Sequence, residues 1–177
     1  MTKKEFFKKV TKERRDLLQG FVRLLEGKHI PFCVIGGLAV NAYAEPVVSL
    51  DLDAVIIIER LEEFLAELRH KHKIKRYPNS INISSPYSDL RIQIQTDRKY
   101  QDFISRATRK DVLGYRLPVA AIEDVLKGKI WAAQDEARRP SKPSKRQKDF
   151  ADILRLVEAK KSLISLVPAS LKKKLSL

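Results

Sequence analysis

The amino-acid sequence predicts an α/β (α+β) chain, a mixed sheet flanked by helices with a further helical portion at its C-terminal end. Two observations carry that reading. Short apolar, partly β-branched runs recur through the first two-thirds, with helical three- and four-residue spacing between them. The last third carries helical spacing alone. The chain has 177 residues, 44% of them hydrophobic, which suits one core with a helical appendage. The expected organisation is a core over 1–137, including the N-terminal helix. A basic loop and C-terminal helices over 138–177 are expected to pack on the same domain.

Each element follows in order. Phe7, Val10, Leu17, Phe21 and Leu25 predict one amphipathic helix over about 3–26, ended by Gly27. Ile30 to Ile35 reads as a buried strand, interrupted by Gly36-Gly37, from which a short helix over 38–44 opens. Residues 47–58 form a second strand region with two aspartates embedded in it, and 61–71 a helix with a basic end. Runs at 74–77, 81–84 and 89–95, separated by Pro-Asn-Ser and Ser-Ser-Pro turns, predict three short strands. A short helix over 100–107, an extended piece over 114–119 and a helix over 121–137 come next. Arg138 to Lys148 holds six basic residues, two prolines and no acid, and reads as a loop. Helices over about 148–160 and 162–175 follow, the second broken or started at Pro168.

Composition narrows the function classes. No apolar run approaches the roughly 18 residues needed to cross a bilayer, and the N-terminus is too charged for a signal-peptide core. The expectation is a cytoplasmic protein without membrane contact. Cys33 is the single cysteine, so an internal disulfide or a thiolate cluster is excluded and a buried thiol in a reducing compartment is expected. The net charge of +14, from 36 Lys and Arg against 22 Asp and Glu, attracts polyanions such as nucleic acid or nucleoside triphosphates. It equally describes a solubilising surface. The Arg138–Lys148 run has no interleaved aromatics for base stacking. His29, His70 and His72 are scattered or flank lysines, and Trp131 and Tyr43 suit packing.

The chemistry-bearing constellation is Gly36-Gly37 followed by Asp51-Leu52-Asp53. Two aspartates two residues apart on a strand point to one face. Burying both is costly through desolvation and mutual repulsion. The natural compensator is Mg²⁺ or Mn²⁺, which carboxylate oxygens suit and which also bridges nucleotide phosphates. The glycine pair, between a strand and a helix start, exposes backbone N–H groups to an anion. Phosphate cradle plus metal-binding carboxylates describes a nucleoside-triphosphate site.

The stretch from Val34-Ile35-Gly36-Gly37 to Tyr43 resembles the opening motif of the nucleotidyltransferase superfamily, most of all the minimal prokaryotic branch of abortive-infection toxins and antitoxins (AbiEii-like, MNT-like). Ser49-Leu50-Asp51-Leu52-Asp53 is similar to that branch's Thr-x-Asp-hydrophobic-Asp segment. Ile122 to Leu126 with Lys129 and Ala132, and Lys148-Asp149-Phe150-Ala151-Asp152-Ile153, resemble two later helical motifs, so the resemblance spans residues 30–157. It implies transfer of a nucleoside monophosphate from a triphosphate to an acceptor. Asp51 and Asp53 would be catalytic and hold Mg²⁺ or Mn²⁺. Gly36 and Gly37 would hold the phosphates. Lys129 suits contact with a nucleotide phosphate or base, and equally a solvated position on its helix.

Two positions depart from the pattern. Val47 stands where an arginine is usual, and Gln93 takes the place of the third carboxylate. An amide accepts no proton at neutral pH. Asp89 and Asp97 share the parity of Gln93 but lie about 13 Å along an extended strand from it. Two functions are therefore expected in competition. The first is a metal-dependent nucleotidyltransferase acting on an RNA, protein or small-molecule acceptor. The alternative is a degenerate, non-catalytic domain that binds nucleotide or nucleic acid and regulates, as an antitoxin would.

Overall fold

The computed structural model describes residues 1–12, 16–135 and 143–177. Its elements are α1 (Lys3–Val10), α2 (Leu17–Gly27), β1 (Phe32–Ile35), α3 (Gly36–Val40), β2 (Asp51–Ile56), α4 (Leu61–Leu68), β3 (Lys73–Tyr77), β4 (Ser80–Ser85), β5 (Ser88–Gln95), β6 (Thr108–Val112), β7 (Tyr115–Val119), α5 (Ile122–Gln134), α6 (Pro143–Ala159) and α7 (Ala169–Leu175). Short 3₁₀ turns at Ile58–Arg60, Arg98–Phe103 and Lys161–Leu166 complete it.

Seven strands form one mixed sheet in the order β3-β4-β5-β2-β1-β7-β6. β2 runs parallel to β5 and β1 parallel to β7, and the remaining neighbours are antiparallel. The central strands β1, β2 and β5 carry the core, with Cys33, Val34, Leu52, Ala54, Leu90, Ile92 and Ile94 buried. Side-chain alternation gives β2 and β5 two chemically different faces. Ile83 and Ile92 line one side, in a cavity shared with Phe21 and Leu24 of α2 and Leu68 of α4. Asp51, Asp53, Arg91 and Gln93 look the other way, towards α5 and α6. On the apolar side, edge-to-face contacts of Phe21 with Phe32 (6.4 Å) and Phe64 (5.1 Å) tie α2 to the sheet and to α4.

The single N-terminal helix expected over 3–26 is two helices. Thr11 ends α1 by donating its hydroxyl to the Phe7 carbonyl (2.9 Å), and Lys12 turns into the left-handed region (φ 48°). Asp16 then opens α2 by accepting from the Gln19 N–H (3.0 Å). Apolar periodicity carries across such a break, because both helices bury the same kind of face.

Residues 47–50, expected as the start of the second strand, are irregular, and β2 begins at Asp51. The Asn41 side chain holds the Val47 backbone at both ends, donating to its carbonyl (2.7 Å) and accepting from its N–H (2.9 Å). β6 escaped the sequence pattern. It is an edge strand, Thr-Arg-Lys-Asp-Val, whose charges mask any alternation and blunt an open sheet edge. Of the expected loop at 138–148, residues 138–142 lie outside the described residues. Pro143 to Lys148 are helical, as the opening of α6, where proline in the first turn breaks no internal hydrogen bond.

Candidate active site

The sequence supplies Asp51 and Asp53 on β2, and the parallel register of β5 sets Arg91 beside Asp51 and Gln93 beside Asp53. Antiparallel β4 adds Asn82 beside Gln93. These residues floor a cavity of about 350 Å³, within the size range of small-ligand sites. Its walls are Gly37, the 47–49 segment, Lys129 of α5, and Lys145, Lys148, Asp149, Asp152 and Arg155 of α6.

Asp53 is the least compensated group. Among the described residues it has no hydrogen-bond or ion-pair partner. Burial pushes its carboxyl above the ordinary carboxylate range; Lys129 and Lys145 pull it down, Asp51 and Asp149 push it further up. Directly over it lies Gly36, in the left-handed region (φ 68°), where a Cβ would stand 2.1 Å from Asp53 Oδ2. Only glycine fits a backbone so shaped and so close. Asp51, by contrast, is held by Arg91 (Nε to Oδ1, 2.8 Å).

Lys129 reaches the same cavity from α5 and is largely enclosed, with 12% of its side chain exposed. Its ammonium bridges Asp149 (3.0 Å) and Asp152 (2.6 Å) on α6. Burial opposes its charge, but the two carboxylates outweigh burial and raise its pKa overall. Arg155 extends the network, donating to Asp152 (2.7 Å), to Asn41 (2.8 Å) and to the Glu45 carbonyl. Through Asn41 it therefore braces the 47–49 wall.

The structure thus brings Gly36, Gly37, Asp51, Asp53, Gln93 and Lys129 together. Asp89 and Asp97 are engaged elsewhere, Asp89 with Lys12 (3.1 Å) and Asp97 in accepting from the Lys99 N–H (3.1 Å). No group of three or more His, Cys, Asp or Glu side chains among the described residues is arranged to hold a metal ion. The protein offers the Asp51–Asp53 pair, whose carboxylate oxygens are the donor type that a hard divalent cation takes. Reasoning from the sequence did not foresee Arg91, Lys145 or Arg155 here. The signal available was the spacing of Lys145, Lys148, Asp149, Asp152 and Arg155 along one helical face of what read as half loop, half helix.

Other singled-out residues are structural. Cys33 is fully buried and its thiol is pushed up to about 12, chiefly by burial and secondarily by Asp124. Trp131 stacks on Phe103 (5.9 Å) and meets Tyr100 edge-on (5.0 Å). Tyr43 donates to the Ala120 carbonyl (2.7 Å). Asp124 is clamped by Arg106 through two bonds of 2.8 and 2.9 Å.

Two sequence-level comparisons are negative: no family model and no curated protein matches the chain. Solved structures do match it. A crystal structure of ANT(2'')-Ia in complex with adenylyl-2''-tobramycin aligns with TM-score 0.63 at 13% identity, over 89% of this chain and 96% of that one. The chain has the nucleotidyltransferase fold. The lincosamide antibiotic adenylyltransferase LnuA, lincomycin-bound, aligns with TM-score 0.57 at 13% identity, over 84% of this chain and 99% of that one. An antigenic nucleotidyltransferase-like protein from Paracoccidioides brasiliensis aligns with TM-score 0.56 at 16% identity, over 96% and 88%. The expected mixed sheet with flanking helices is therefore correct, and the nucleotidyltransferase fold spans nearly all of this chain. No helix among its described residues is long and apolar enough to cross a membrane.

Proposed function

We propose that this protein is a metal-dependent nucleotidyltransferase that moves a nucleoside monophosphate from a nucleoside triphosphate to an acceptor. The observation that carries this is Asp53, a carboxylate with no partner among the described residues and an elevated pKa, set beside Asp51 under a glycine backbone in a cavity of nucleotide size. A structural role would have given it a donor. Asp51 and Asp53 would hold Mg²⁺ or Mn²⁺, which supplies charge neutralisation for the triphosphate. Gly36 and Gly37 leave room for phosphate against the backbone. Lys145 and Lys148 have no carboxylate partner among the described residues and face the same cavity, so they suit the β- and γ-phosphates. Lys129, whose charge is already matched by two aspartates, orders that wall and lends its field to the nucleotide.

In the reaction an acceptor hydroxyl or amine attacks the α-phosphorus, the bond to the bridging oxygen breaks, and pyrophosphate leaves. Gln93, in register with Asp53, cannot take the acceptor's proton, so turnover is expected to be slow. Membership of the abortive-infection branch rests on the motifs from Val34 to Tyr43 and at Ser49 to Asp53.

The test is calorimetric titration of ATP, GTP, CTP and UTP with and without Mg²⁺, followed by labelling from α-³²P-NTP. Metal-dependent binding and labelling, both lost in Asp51→Asn/Asp53→Asn, is the expected result. Binding without labelling across broad acceptors would leave the regulatory, non-catalytic module. No binding of any nucleotide would sink the enzyme reading and leave the fold as a scaffold for protein or nucleic-acid contacts.

A further inference from the structure

Val47 and Val48 are a wall shared by two cavities. One is the carboxylate cavity; the other, about 180 Å³, is lined also by Lys3, Phe6, Phe7, Val10, Pro46 and Leu113. The second is almost wholly apolar. Around it the chain leaves large hydrophobic side chains in water: Val47 is 52% exposed, Val48 46% and Phe6 41%. Scattered exposed apolar residues need no explanation, but these three converge on one concavity that opens beside the proposed nucleotide site.

The walls are held rather than loose. Asn41 fixes the Val47 backbone in both directions, and Arg155 fixes Asn41. On the opposite side α1 is anchored at three places. Phe7 packs edge-on against Tyr115 (6.0 Å), Gly114 lets the β6–β7 turn approach the Lys4 backbone, and the Thr11 carbonyl accepts from the Asp89 N–H (2.7 Å). With Phe7 turned into the core, its neighbour Phe6 is left at the pocket.

We propose that this pocket receives the acceptor, a small molecule with a compact uncharged apolar group, aromatic or short aliphatic, and a hydroxyl that reaches past Val47 and Val48 to the nucleotide. The inference rests on the nucleotidyl-transfer reading. Three features fix the occupant. The pocket is small, about 180 Å³, its lining has a single charged residue, Lys3, and it shares Val47 and Val48 with the lining of the carboxylate cavity. Transfer there forms a bond from the acceptor oxygen to the α-phosphorus, releases pyrophosphate, and passes the hydroxyl proton to water.

The probe is 4-fluorobenzyl alcohol, an apolar ring bearing one hydroxyl, followed by ¹⁹F NMR on the full chain. Binding to the wild type is expected, weakened about fivefold or more in Phe6→Asp but only about twofold in Phe6→Leu, since lost apolar contact scales with the area removed. Mn²⁺-ATP should broaden the bound probe's fluorine signal while Mg²⁺-ATP does not, because the paramagnetic ion then lies next door. Absence of probe binding, equal binding in Phe6→Asp, or binding that Mn²⁺-ATP leaves unbroadened although it binds the protein would each overturn the acceptor pocket. Failure of Mn²⁺-ATP to bind at all, titrated separately, would instead bring down the transfer reading and the acceptor role with it.

Discussion

A buried carboxylate with no donor among the described residues, beside another carboxylate and beneath a backbone that admits no Cβ, is a local weakness. Asp53 is that residue. Its ionised form costs the fold free energy, so Asp53→Asn is expected to raise the thermal midpoint at neutral pH while removing metal-dependent nucleotide binding. Each kcal/mol recovered corresponds to about 2–4 °C for a chain of this size. The sign follows from linkage. The folded carboxyl has the higher pKa, so the penalty is complete above that pKa, shrinks as pH falls through it, and is gone below the ordinary aspartate value of 3.8. Thermal scans of both proteins between pH 3 and pH 8 check this; a midpoint that drops in Asp53→Asn at neutral pH would show that Asp53 is structurally satisfied. At this scale much was legible. Asp51 and Asp53 share parity on a strand, and the cost of placing both there was computable from period two alone. That Arg91 quiets Asp51 and leaves Asp53 bare depends on the β2–β5 register, which no local pattern encodes.

Elements decide who meets Asp53. α5 and α6 are locked by Lys129 between Asp149 and Asp152, with all three side chains at most 13% exposed. Removing the cation leaves buried Asp149 without a partner among the described residues and Asp152 with Arg155 alone, so Lys129→Met is expected to cost about 3–5 kcal/mol, read as the midpoint shift in urea unfolding. A loss under about 1 kcal/mol would mean that water reaches the pair and that the network is a surface ion pair in effect. The helical spacing of α5 was plain in the sequence. α6 was half hidden, because its first turns are the basic, proline-containing stretch that reads as a loop. The N-terminal pair shows the converse error. α1 and α2 share one apolar periodicity, and only the Thr11 hydroxyl, the Lys12 backbone and the Asp16 cap reveal the joint between them.

Across the whole molecule, the C-terminal third is structurally continuous with the sheet. Ile153, Leu156, Val157, Leu163, Val167 and Leu171 are buried in the same core cluster as β1 and β2, and α6 supplies a wall of the candidate site. The full chain is therefore expected to unfold in one cooperative transition, with near- and far-ultraviolet circular dichroism superimposing. Two separated transitions would show the 138–177 portion to be an independent unit. The net charge of +14 acts at this scale too, as a long-range field that favours anionic ligands without choosing among them.

What the sequence by itself determined is what local periodicity and side-chain chemistry carry. Most strands and helices in their order (β6, the α1–α2 joint and the opening of α6 apart), the Gly36-Gly37 turn, the Asp51–Asp53 face and the absence of a charged third partner at Gln93 are of this kind. Tertiary structure decided the rest. The left-handed Gly36 over Asp53, the Arg91 clamp, the Lys129 bridge between α5 and α6, and the apolar pocket between α1 and Val47–Val48 each join residues far apart in the chain. Such contacts are selected by sheet register and helix docking, and those are set by how the whole core packs, not by any window of the sequence.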